Sequence, residues 1–369
     1  MTSTGRLVGL DICRALALLG MLIVNFNWIM KTWFAGPAWA VVIDQQLLGR
    51  AAGTFVVLAG VGLSLMMRAT PSEDRGLFYG CVARRAVFLF VVGILLFTYW
   101  RGDILHFYGV YFALSLAFLA APRSLLAAGA IIVILAAVFL RFYVDYNWGW
   151  DWRTDRYVDV WTIGGFLRNL LVNGLHPILP WFAFILVGLW LGRQQLNDGR
   201  TRLHLFLGGV AIALIFNGLG HVYPGGDTYR DPAQMLIALH GWPPGPLYVV
   251  AASGTAVAVI TACLELGQRF GASLPLRALA SAGRMALTLY VIHGIVLTAW
   301  FDAVCSRGMH CDAADGFYWA IALFAACVVA AHLWLMVFSN GPLEALMRKL
   351  APTAGEIRRR PGTNPAASA

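Results

Sequence analysis

Long apolar runs, separated by short polar segments, are the dominant pattern along the chain. The clearest runs are Ala15–Val24, Phe55–Met67, Ala86–Phe97, Ser124–Leu140 and Gly316–Val337. With their flanks, these runs reach the ~20 residues that an α-helix needs to cross a hydrocarbon layer of ~30 Å. The pattern predicts about ten membrane-spanning helices, near residues 7–29, 51–67, 81–99, 104–121, 124–142, 176–192, 201–220, 247–266, 280–300 and 316–337.

The composition excludes a water-soluble domain. Of the 369 residues, 60% are hydrophobic and only 12% are charged, whereas soluble domains carry about 25% charged residues. The same figures exclude a disordered chain, a coiled coil and a disulfide scaffold. We therefore predict an all-α fold, a polytopic membrane helical bundle that occupies residues 1–350 as a single domain. Residues 351–369, rich in Arg, Pro, Gly, Ser and Ala, are predicted to form a disordered cytoplasmic tail.

The net charge of +9 comes from arginines, because the 27 basic residues include only two lysines, Lys31 and Lys349. These arginines lie in short clusters between the apolar runs, which is typical of membrane topology, so no nucleic-acid partner is predicted. A cytoplasmic N-terminus would leave about two thirds of the basic residues on the inner side. We therefore predict that both termini are cytoplasmic and that the chain is embedded in a lipid bilayer.

Two cysteines, Cys305 and Cys311, share a predicted outer loop. In an oxidising compartment they form a disulfide or remain thiols, and the spacing favours neither alternative. Together with His310 they supply fewer than the four ligands of a structural zinc site. The sequence therefore predicts no metal.

Several polar residues lie within the predicted spans, where an ionisable group costs several kcal/mol unless it has a partner or a function. Asp11 and Arg14 are spaced i, i+3 on the first span and are predicted to pair. That pair either orients the helix only or belongs to a site. Asn25 and Asn27 follow at the outer end of the same span, and His293, in the ninth span, is expected to bond a neighbouring helix.

Asp103 and His106 begin the fourth span from the outside. At i, i+3 they share one helix face, where a carboxylate orients the imidazole and strengthens it as a proton acceptor. An acyl transfer needs such a base to deprotonate the attacking hydroxyl or amine. In the alternative interpretation, Asp103 caps the helix by accepting backbone N–H bonds, and both roles are compatible. His106 with Asp103 is the first candidate base.

His176 opens the sixth span in the string His176-Pro-x-x-Pro-Trp181. Prolines suit the first turn of a helix, where N–H donors lack partners, so the backbone accounts for both of them. His176 is left without a structural reason and is a candidate either for a second base or for a hydrogen-bond donor to the substrate. No G-x-S-x-G elbow occurs in the chain. The sequence therefore predicts that transfer is direct or passes through a His or another group, without a serine nucleophile.

The predicted outer segment from Tyr143 to Leu175 interleaves aromatic residues with four carboxylates. Aromatic faces beside carboxylates would suit a sugar, which stacks on the ring and donates hydroxyl hydrogen bonds. The favoured interpretation is an aromatic belt at the membrane surface with a solvated acidic rim.

Several strings carry a family resemblance. Arg6–Asn25, Gly102–Gly109, Gly283–Tyr290 and Gly341–Leu350 resemble, in this order, segments of the YeiB-like bacterial membrane proteins. The string that begins at His176, with Gly-Leu-Trp-Leu-Gly-Arg after it, is similar to bacterial relatives of heparan-alpha-glucosaminide N-acetyltransferase. The matches run from residue 6 to about residue 350.

The resemblance implies a transmembrane acyltransferase in a bacterial cytoplasmic (inner) membrane. Such an enzyme takes an acyl group from a cytoplasmic acyl-CoA, acetyl-CoA in the first instance, and transfers it to an acceptor at the outer face. It also implies a donor channel from inside and an acceptor site that faces out. The catalytic His of acyltransferase-three relatives corresponds here to Asn25, and the loop between Lys31 and Gln46, where the glucosaminide enzyme has its important His, contains none.

These inferences define the expected site. His106, Asp103 and His176 are the catalytic candidates, and the candidate neighbours of the CoA phosphates or pantetheine are Arg14, Arg84, Arg85 and Arg284. Candidate groups for the substrate or the oxyanion are Asn25, Asn27 and Trp181. The acceptor is a hydroxyl or an amine, with a carbohydrate as one candidate, and a homodimer is left open. A transporter of a small envelope or secondary-metabolite compound is the alternative function, and a non-catalytic envelope scaffold is the third.

Overall fold

The computed structural model describes residues 7–32, 34–222, 236–239, 241–304 and 311–352. Within these residues the regular structure is almost entirely helical, which confirms the predicted all-α class. The predicted tail lies outside the described residues from residue 353 onward.

Fourteen helices follow one another along the described chain. In order, α1 to α14 are Val8–Met30, Ala38–Leu47, Arg50–Ala69, Arg75–Tyr99, Leu105–Ser115, Arg123–Arg141, Ile163–Arg168, Ile178–Leu191, Gly199–Val222, Pro246–Phe270, Leu274–Arg284, Ala286–Val304, Ala313–Val337 and Pro342–Leu350. Short 3₁₀ turns, Ser72–Asp74 and Leu116–Phe118, adjoin α4 and α5, and a π turn, Asn169–Asn173, continues α7. Two strands, β1 (Trp150–Asp151) and β2 (Arg156–Tyr157), pair antiparallel, with Trp150 opposite Tyr157.

The membrane-spanning prediction is confirmed in the described residues. Seven helical segments there are long and apolar enough to cross a bilayer, and they coincide with seven of the predicted spans. The predicted sixth and ninth spans are bent pairs: α7 with its π turn meets α8 at 49°, and α11 meets α12 at 77°. The predicted fourth span is a shorter apolar helix, Leu105–Phe118.

The bundle has two ends, because successive spans alternate in direction. We call the end where α1 begins the base, and the opposite end, which carries the loop between α6 and α7, the top. At the base, Gly9 of α1 packs against the backbone of Cys263 near the end of α10. There the Cys81 thiol, near the start of α4, donates to the carbonyl of Ala351 at 3.4 Å, just after α14. The first and last helices therefore reach the same end.

Helices α1, α3 and α10 form the centre of the bundle. In the most apolar window of α1, 72% of the residues are buried inside the protein, against 17% in α6 and 6% in α9. The exposed residues of α6 and α9 are themselves large and apolar, among them Ile132, Leu135 and Leu214. Because apolar side chains belong in hydrocarbon, these two helices present their outer faces to lipid.

Glycines let α3 and α8 approach closely. A Cβ at Gly60 would overlap the carbonyl of Ile185, and a Cβ at Gly188 would overlap that of Val57. Small residues at such crossings allow membrane helices to pack through their backbones. The contact holds α8, and the segment that precedes it, against the centre of the bundle.

Arginines at the base donate to helix C-terminal carbonyls. Arg68 Nη1 donates to the carbonyls of Gly192 and Gln194, each at 3.2 Å, just after the end of α8. Arg193 in turn donates to the carbonyls of Phe118 and Leu119, at 3.1 and 2.9 Å. Carbonyls at a helix end lack intrahelical partners and carry partial negative charge, so cations stabilise them.

The carboxylate of Glu344, in α14, caps the start of α12. Its Oε1 accepts from the backbone N–H of Leu287 at 2.8 Å and of Thr288 at 3.1 Å, and its Oε2 accepts from the Thr288 hydroxyl. Amides in the first turn of a helix lack intrahelical acceptors and attract negative charge. This cap fixes α14 across the bend between α11 and α12.

We predict that Glu344→Ala lowers the free energy of unfolding by about 1–2 kcal/mol, the usual cost of a lost helix cap. Unfolding in detergent micelles, followed by circular dichroism, measures the change. Glu73→Ala, at an exposed carboxylate of the Ser72–Asp74 turn, is the control and should stay within about 0.5 kcal/mol of the wild type. Equal stability of Glu344→Ala and wild type would contradict the capping role.

Candidate functional site

A large cavity, ≈ 1060 Å³ when the space open to its surroundings is included, lies between α1, α3, α4, α5 and the region of α11, α12 and α14. We call it the lower cavity, because α14 and the end of α11 belong to the base. Most of its wall is apolar. Its polar and charged lining residues are Arg14, Arg85, Tyr108, Arg284, Tyr290 and Glu344.

A smaller cavity, ≈ 460 Å³ when the space open to its surroundings is included, lies toward the top, and we call it the upper cavity. It is lined by Asn25 and His176, by the aromatic rings of Trp28 and Trp242, and by the segment around Gly102. Two predicted site residues that are far apart in the sequence, Asn25 and His176, therefore share one chamber.

Two residues, Ile104 and Tyr290, line both cavities. The Tyr290 hydroxyl accepts a hydrogen bond from the Ile104 backbone N–H at 2.9 Å and donates to the Gly102 carbonyl at 3.4 Å. We call this contact the partition. It separates two chambers that approach each other from opposite ends of the bundle.

Three of the four predicted CoA arginines line the lower cavity, and Arg84 does not. Adjacent residues of a helix project about 100° apart, so Arg85 faces the cavity while Arg84 is exposed on another face of α4. The guanidinium of Arg85 donates to the Met66 sulfur at 3.4 Å, and its Nε has no hydrogen-bond partner among the described residues.

The other two cavity arginines are bonded to the protein. Arg14 Nη1 lies 2.6 Å from Asp11 Oδ1, at the predicted spacing, with Asp11 buried. Arg284 donates to the Ser339 carbonyl at 3.0 Å. The lower cavity thus holds three cations, of which Arg14 is paired with a carboxylate.

Asp103 both caps α5 and holds His106, as the two interpretations of the sequence allow. Its carboxylate accepts from the backbone N–H of Leu105 and of His106 at 3.0 and 3.1 Å, and its Oδ2 lies 2.7 Å from His106 Nδ1. The imidazole is buried against Phe97 and Phe107, and His106 lines neither cavity. The pair fixes the first turn of α5, next to Ile104.

His176 lies between the π turn and α8 and lines the upper cavity. Its backbone carbonyl accepts from the Tyr111 hydroxyl at 2.6 Å, whereas its Nδ1 has no partner among the described residues. The ring meets Trp181 edge to face at 4.6 Å. Trp181 is itself fully buried and lies behind His176, since it lines neither cavity.

Asn25 and Asn27 face different surroundings. Asn25 lines the upper cavity, and its Nδ2 lies 3.1 Å from Nε2 of His293, which bonds a neighbouring helix as expected. Asn27 Nδ2 donates to Asp44 Oδ1 at 3.1 Å, and Asn27 Oδ1 accepts from the Thr32 hydroxyl at 2.9 Å. Residues that are two positions apart in a helix project about 200° apart around its axis. Asn25 and Asn27 therefore face different sides of α1, and only Asn25 lines a cavity.

Some polar residues of this region carried no prediction. Tyr108 and Tyr290 occur in two of the strings that carry the family resemblance, but a tyrosine within an apolar run has no spacing signal of its own. Asp44, which is fully buried, lies on α2, in a segment that the pattern assigns to an outer loop. The pattern misses α2 because ten residues are too few for a span.

The loop of residues 142–162, here the top loop, is held by contacts within itself and with neighbouring segments. The indoles of Trp150 and Trp152 stack at 4.4 Å, and the Arg168 guanidinium covers Trp148 at 4.1 Å. Its four carboxylates accept hydrogen bonds or form ion pairs with Asn147, Thr154, Lys31 and Arg168. The aromatic and acidic side chains that suggested a sugar site are therefore engaged in contacts with other residues of the protein.

Asn173, fully buried at the end of the π turn, connects the top loop to His176. Its Nδ2 donates to the carbonyls of Tyr146 and Trp148 at 3.0 and 2.7 Å. Its Oδ1 accepts from the Tyr157 hydroxyl at 2.7 Å, and burial raises the pKa of Tyr157, which keeps that donor protonated. Both polar atoms of the Asn173 side chain thus have hydrogen-bond partners. The side chain anchors the top loop to the segment that carries His176, three residues further along the chain.

No group of His, Cys, Asp and Glu side chains in the described residues is arranged to hold a metal ion. The alternative of a disulfide between Cys305 and Cys311 falls outside the described residues, because Cys305 does.

Comparison with known proteins assigns both halves of the chain. The family described as heparan-alpha-glucosaminide N-acetyltransferase, catalytic, matches residues 6–220, which include Asn25, His106 and His176. A family described as a protein of unknown function, DUF418, matches residues 190–353, which include Tyr290 and Glu344.

Two bacterial proteins match nearly the full length. The uncharacterized protein YxaH of Bacillus subtilis (strain 168) is 25% identical, over 94% of this chain and 94% of its own. The uncharacterized protein YeiB of Escherichia coli (strain K12) is 26% identical, over 94% of this chain and 96% of its own.

We predict that Asn173→Ala lowers the free energy of unfolding by about 2 kcal/mol or more, because buried partners lose their hydrogen bonds. Unfolding in detergent, monitored by tryptophan fluorescence, tests this, since Trp148 and Trp150 lie in the top loop. Asn197→Ala, at an exposed asparagine near the base, is the matched control and should stay within about 0.5 kcal/mol. A loss no larger than in the control would show that Asn173 does not hold the loop.

Proposed function

Because the chain belongs to the YeiB-like family of membrane proteins related to heparan-alpha-glucosaminide N-acetyltransferase, we propose that it is an acyl-CoA-dependent membrane acyltransferase. It moves an acyl group, acetyl in the first instance, from a cytoplasmic acyl-CoA to a hydroxyl or amine on the other side of a bacterial inner membrane. The observation that carries this proposal is the pair of cavities that meet at Ile104 and Tyr290. A reaction between substrates from opposite sides needs two chambers and one meeting point.

The lower cavity suits the donor. Acyl-CoA combines several phosphate charges with a long, weakly polar pantetheine arm, and arginine is well matched to phosphate. Arg14, Arg85 and Arg284 supply positive charge, and the apolar wall suits the arm and the acyl chain. The positive-inside distribution of arginines supports an orientation in which the end of the bundle that we call the base faces the cytoplasm.

The upper cavity suits the acceptor. His176 lines it and has a ring nitrogen without a protein partner. In the proposed step, the oxygen or nitrogen of the acceptor bonds to the thioester carbonyl carbon while the imidazole of His176 takes the proton from that same acceptor atom. The carbon–sulfur bond then breaks, and the CoA thiolate receives the proton from the imidazolium. The Asn25 amide, in the same cavity, is the candidate donor to the oxyanion.

The assignment of His106, the first candidate, as the general base stays a prediction, and His176 is the competing candidate. The position of His176 in the cavity favours it, since a base must come within hydrogen-bond reach of the proton it takes. Asp103 and His106 then act on the site through the first turn of α5, which directly follows Ile104.

A transporter is the second candidate, and the bent helix pairs favour it. Transporters bind substrates near broken helices, and α7–α8 and α11–α12 are bent by 49° and 77°. Proteoliposomes loaded with acceptor and supplied with external acetyl-CoA separate the two functions. Acylated product inside supports the enzyme, whereas solute flux without acylation supports the transporter.

We predict that His176→Ala lowers acyl transfer about 10²–10⁴-fold, the usual contribution of a general base, and leaves the affinity for acetyl-CoA unchanged. Single-turnover transfer of radiolabelled acetyl groups to water-soluble amines and sugars measures the rate. His106→Ala is the comparison: it should lower the free energy of unfolding, while the protein that remains folded keeps its rate of acyl transfer. A folded His106→Ala protein without activity, beside an active His176→Ala protein, would assign the base to His106.

We predict that Arg85→Gln weakens acetyl-CoA binding about tenfold or more, because a hydrogen bond to a charged group contributes about 1.5–3 kcal/mol. The neighbouring Arg84→Gln removes the same charge from an exposed position and should bind as the wild type does. Calorimetric titration of the detergent-purified proteins compares them. Equal weakening in both variants would mean that the lower cavity is not the donor site, and no binding to the wild type would contradict CoA dependence.

A further inference from the structure

The hydroxyl of Tyr108 is a buried polar group for which the fold provides no use. Tyr108 lies on α5, one turn below Ile104, and only 4% of the residue is exposed. Its hydroxyl has no hydrogen-bond partner among the described residues. Buried hydroxyls in native proteins nearly always have a partner, so one without a partner points to a role outside the fold.

The other buried tyrosines near the centre show what the fold does with a phenol. The Tyr111 hydroxyl donates to the His176 carbonyl at 2.6 Å, and the Tyr290 hydroxyl accepts from Ile104 at 2.9 Å. The Tyr248 hydroxyl donates to the Leu48 carbonyl at 3.4 Å. Tyr108 differs from all three in that it lines the lower cavity without a protein partner.

Most of the other polar groups that line the lower cavity are bonded to the protein. Glu344 accepts from the start of α12, Arg14 is paired with Asp11, and Arg284 donates to a carbonyl. Arg85 keeps an unpartnered Nε. One cation and one neutral hydroxyl are thus left for a ligand, within a wall that is otherwise mostly apolar. Such sparse polar groups in an apolar pocket fix the orientation of a ligand.

We propose that the Tyr108 hydroxyl donates a hydrogen bond to a carbonyl oxygen of the acyl donor, and so selects its position in the lower cavity. This inference rests on the proposed function. An acyl-CoA carries carbonyl oxygens at two kinds of group, the amides of the pantetheine arm and the thioester. Both accept one hydrogen bond from a neutral phenol, whereas the phosphates belong with Arg85.

Tyr108→Phe tests the proposal, because it removes one oxygen and leaves the ring contacts of Tyr108 with Phe55 and Tyr111 in place. No hydrogen bond within the described residues is lost, so the variant should be at least as stable as the wild type. Tyr248→Phe is the matched control, since it loses a bond to the protein and lines neither cavity.

Calorimetric titration with three probes gives separate answers. For acetyl-CoA, Tyr108→Phe should bind about tenfold more weakly, the effect of about one hydrogen bond. For adenosine 3′,5′-bisphosphate, which has no pantetheine arm, its affinity should equal that of the wild type. Free CoA should bind more weakly to the variant if an amide is the partner, and equally if the thioester is. Tyr248→Phe should bind all three as the wild type does.

The outcomes distinguish this inference from the proposed function. Wild-type affinity of Tyr108→Phe for both acetyl-CoA and free CoA would overturn the role of Tyr108 and leave the acyltransferase proposal intact. Equal weakening for all three probes would also overturn it, because a general disturbance of the cavity would then account for the loss. A wild-type protein that binds none of the probes would overturn both proposals.

Discussion

The hydrogen bond between the Tyr290 hydroxyl and the Ile104 amide is the contact on which the arrangement of the cavities depends. It joins α12 to the segment that precedes α5, and both residues line both chambers. Its supports come from elsewhere: Glu344 caps α12, and Asp103 caps α5 while it holds His106. Two helix caps thus fix the two sides of one boundary, which is how a bundle of apolar helices keeps a polar contact in register.

Helix geometry on α1 decides which polar residues can serve a ligand. Asp11 and Arg14 lie one turn apart and pair, so a buried carboxylate brings a cation to the edge of the lower cavity. Asn25 reaches the upper cavity, whereas Asn27 points to Asp44 and Thr32. One helix therefore contributes to both chambers, and residues on its other faces hold α2 against the bundle.

The sequence predicted the bundle well, because apolar runs long enough to span a bilayer are typical of membrane helices and rare in water-soluble folds. It could not predict α2, the bend between α11 and α12, or the partition, since these depend on contacts between residues far apart in the chain. The candidate site shows the same limit. Arg84 and Arg85 look alike in the sequence, and so do Asn25 and Asn27, and only the helix rotation relative to the neighbours separates them.

Hydrogen-bond satisfaction, taken together with a place in a cavity wall, distinguishes the candidate ligand-facing residues from the structural ones. Asn173, Asp103 and Glu344 are buried and bonded to the protein, and each holds a helix end or a loop. His176, Arg85 and Tyr108 line the cavities and keep polar atoms without protein partners. An unpaired buried group costs stability, and in a cavity wall a ligand can supply the missing partner. Arg85 and Tyr108 lie below the partition and His176 lies above it. This order matches the phosphate, the carbonyl arm and the acceptor proton of the proposed reaction.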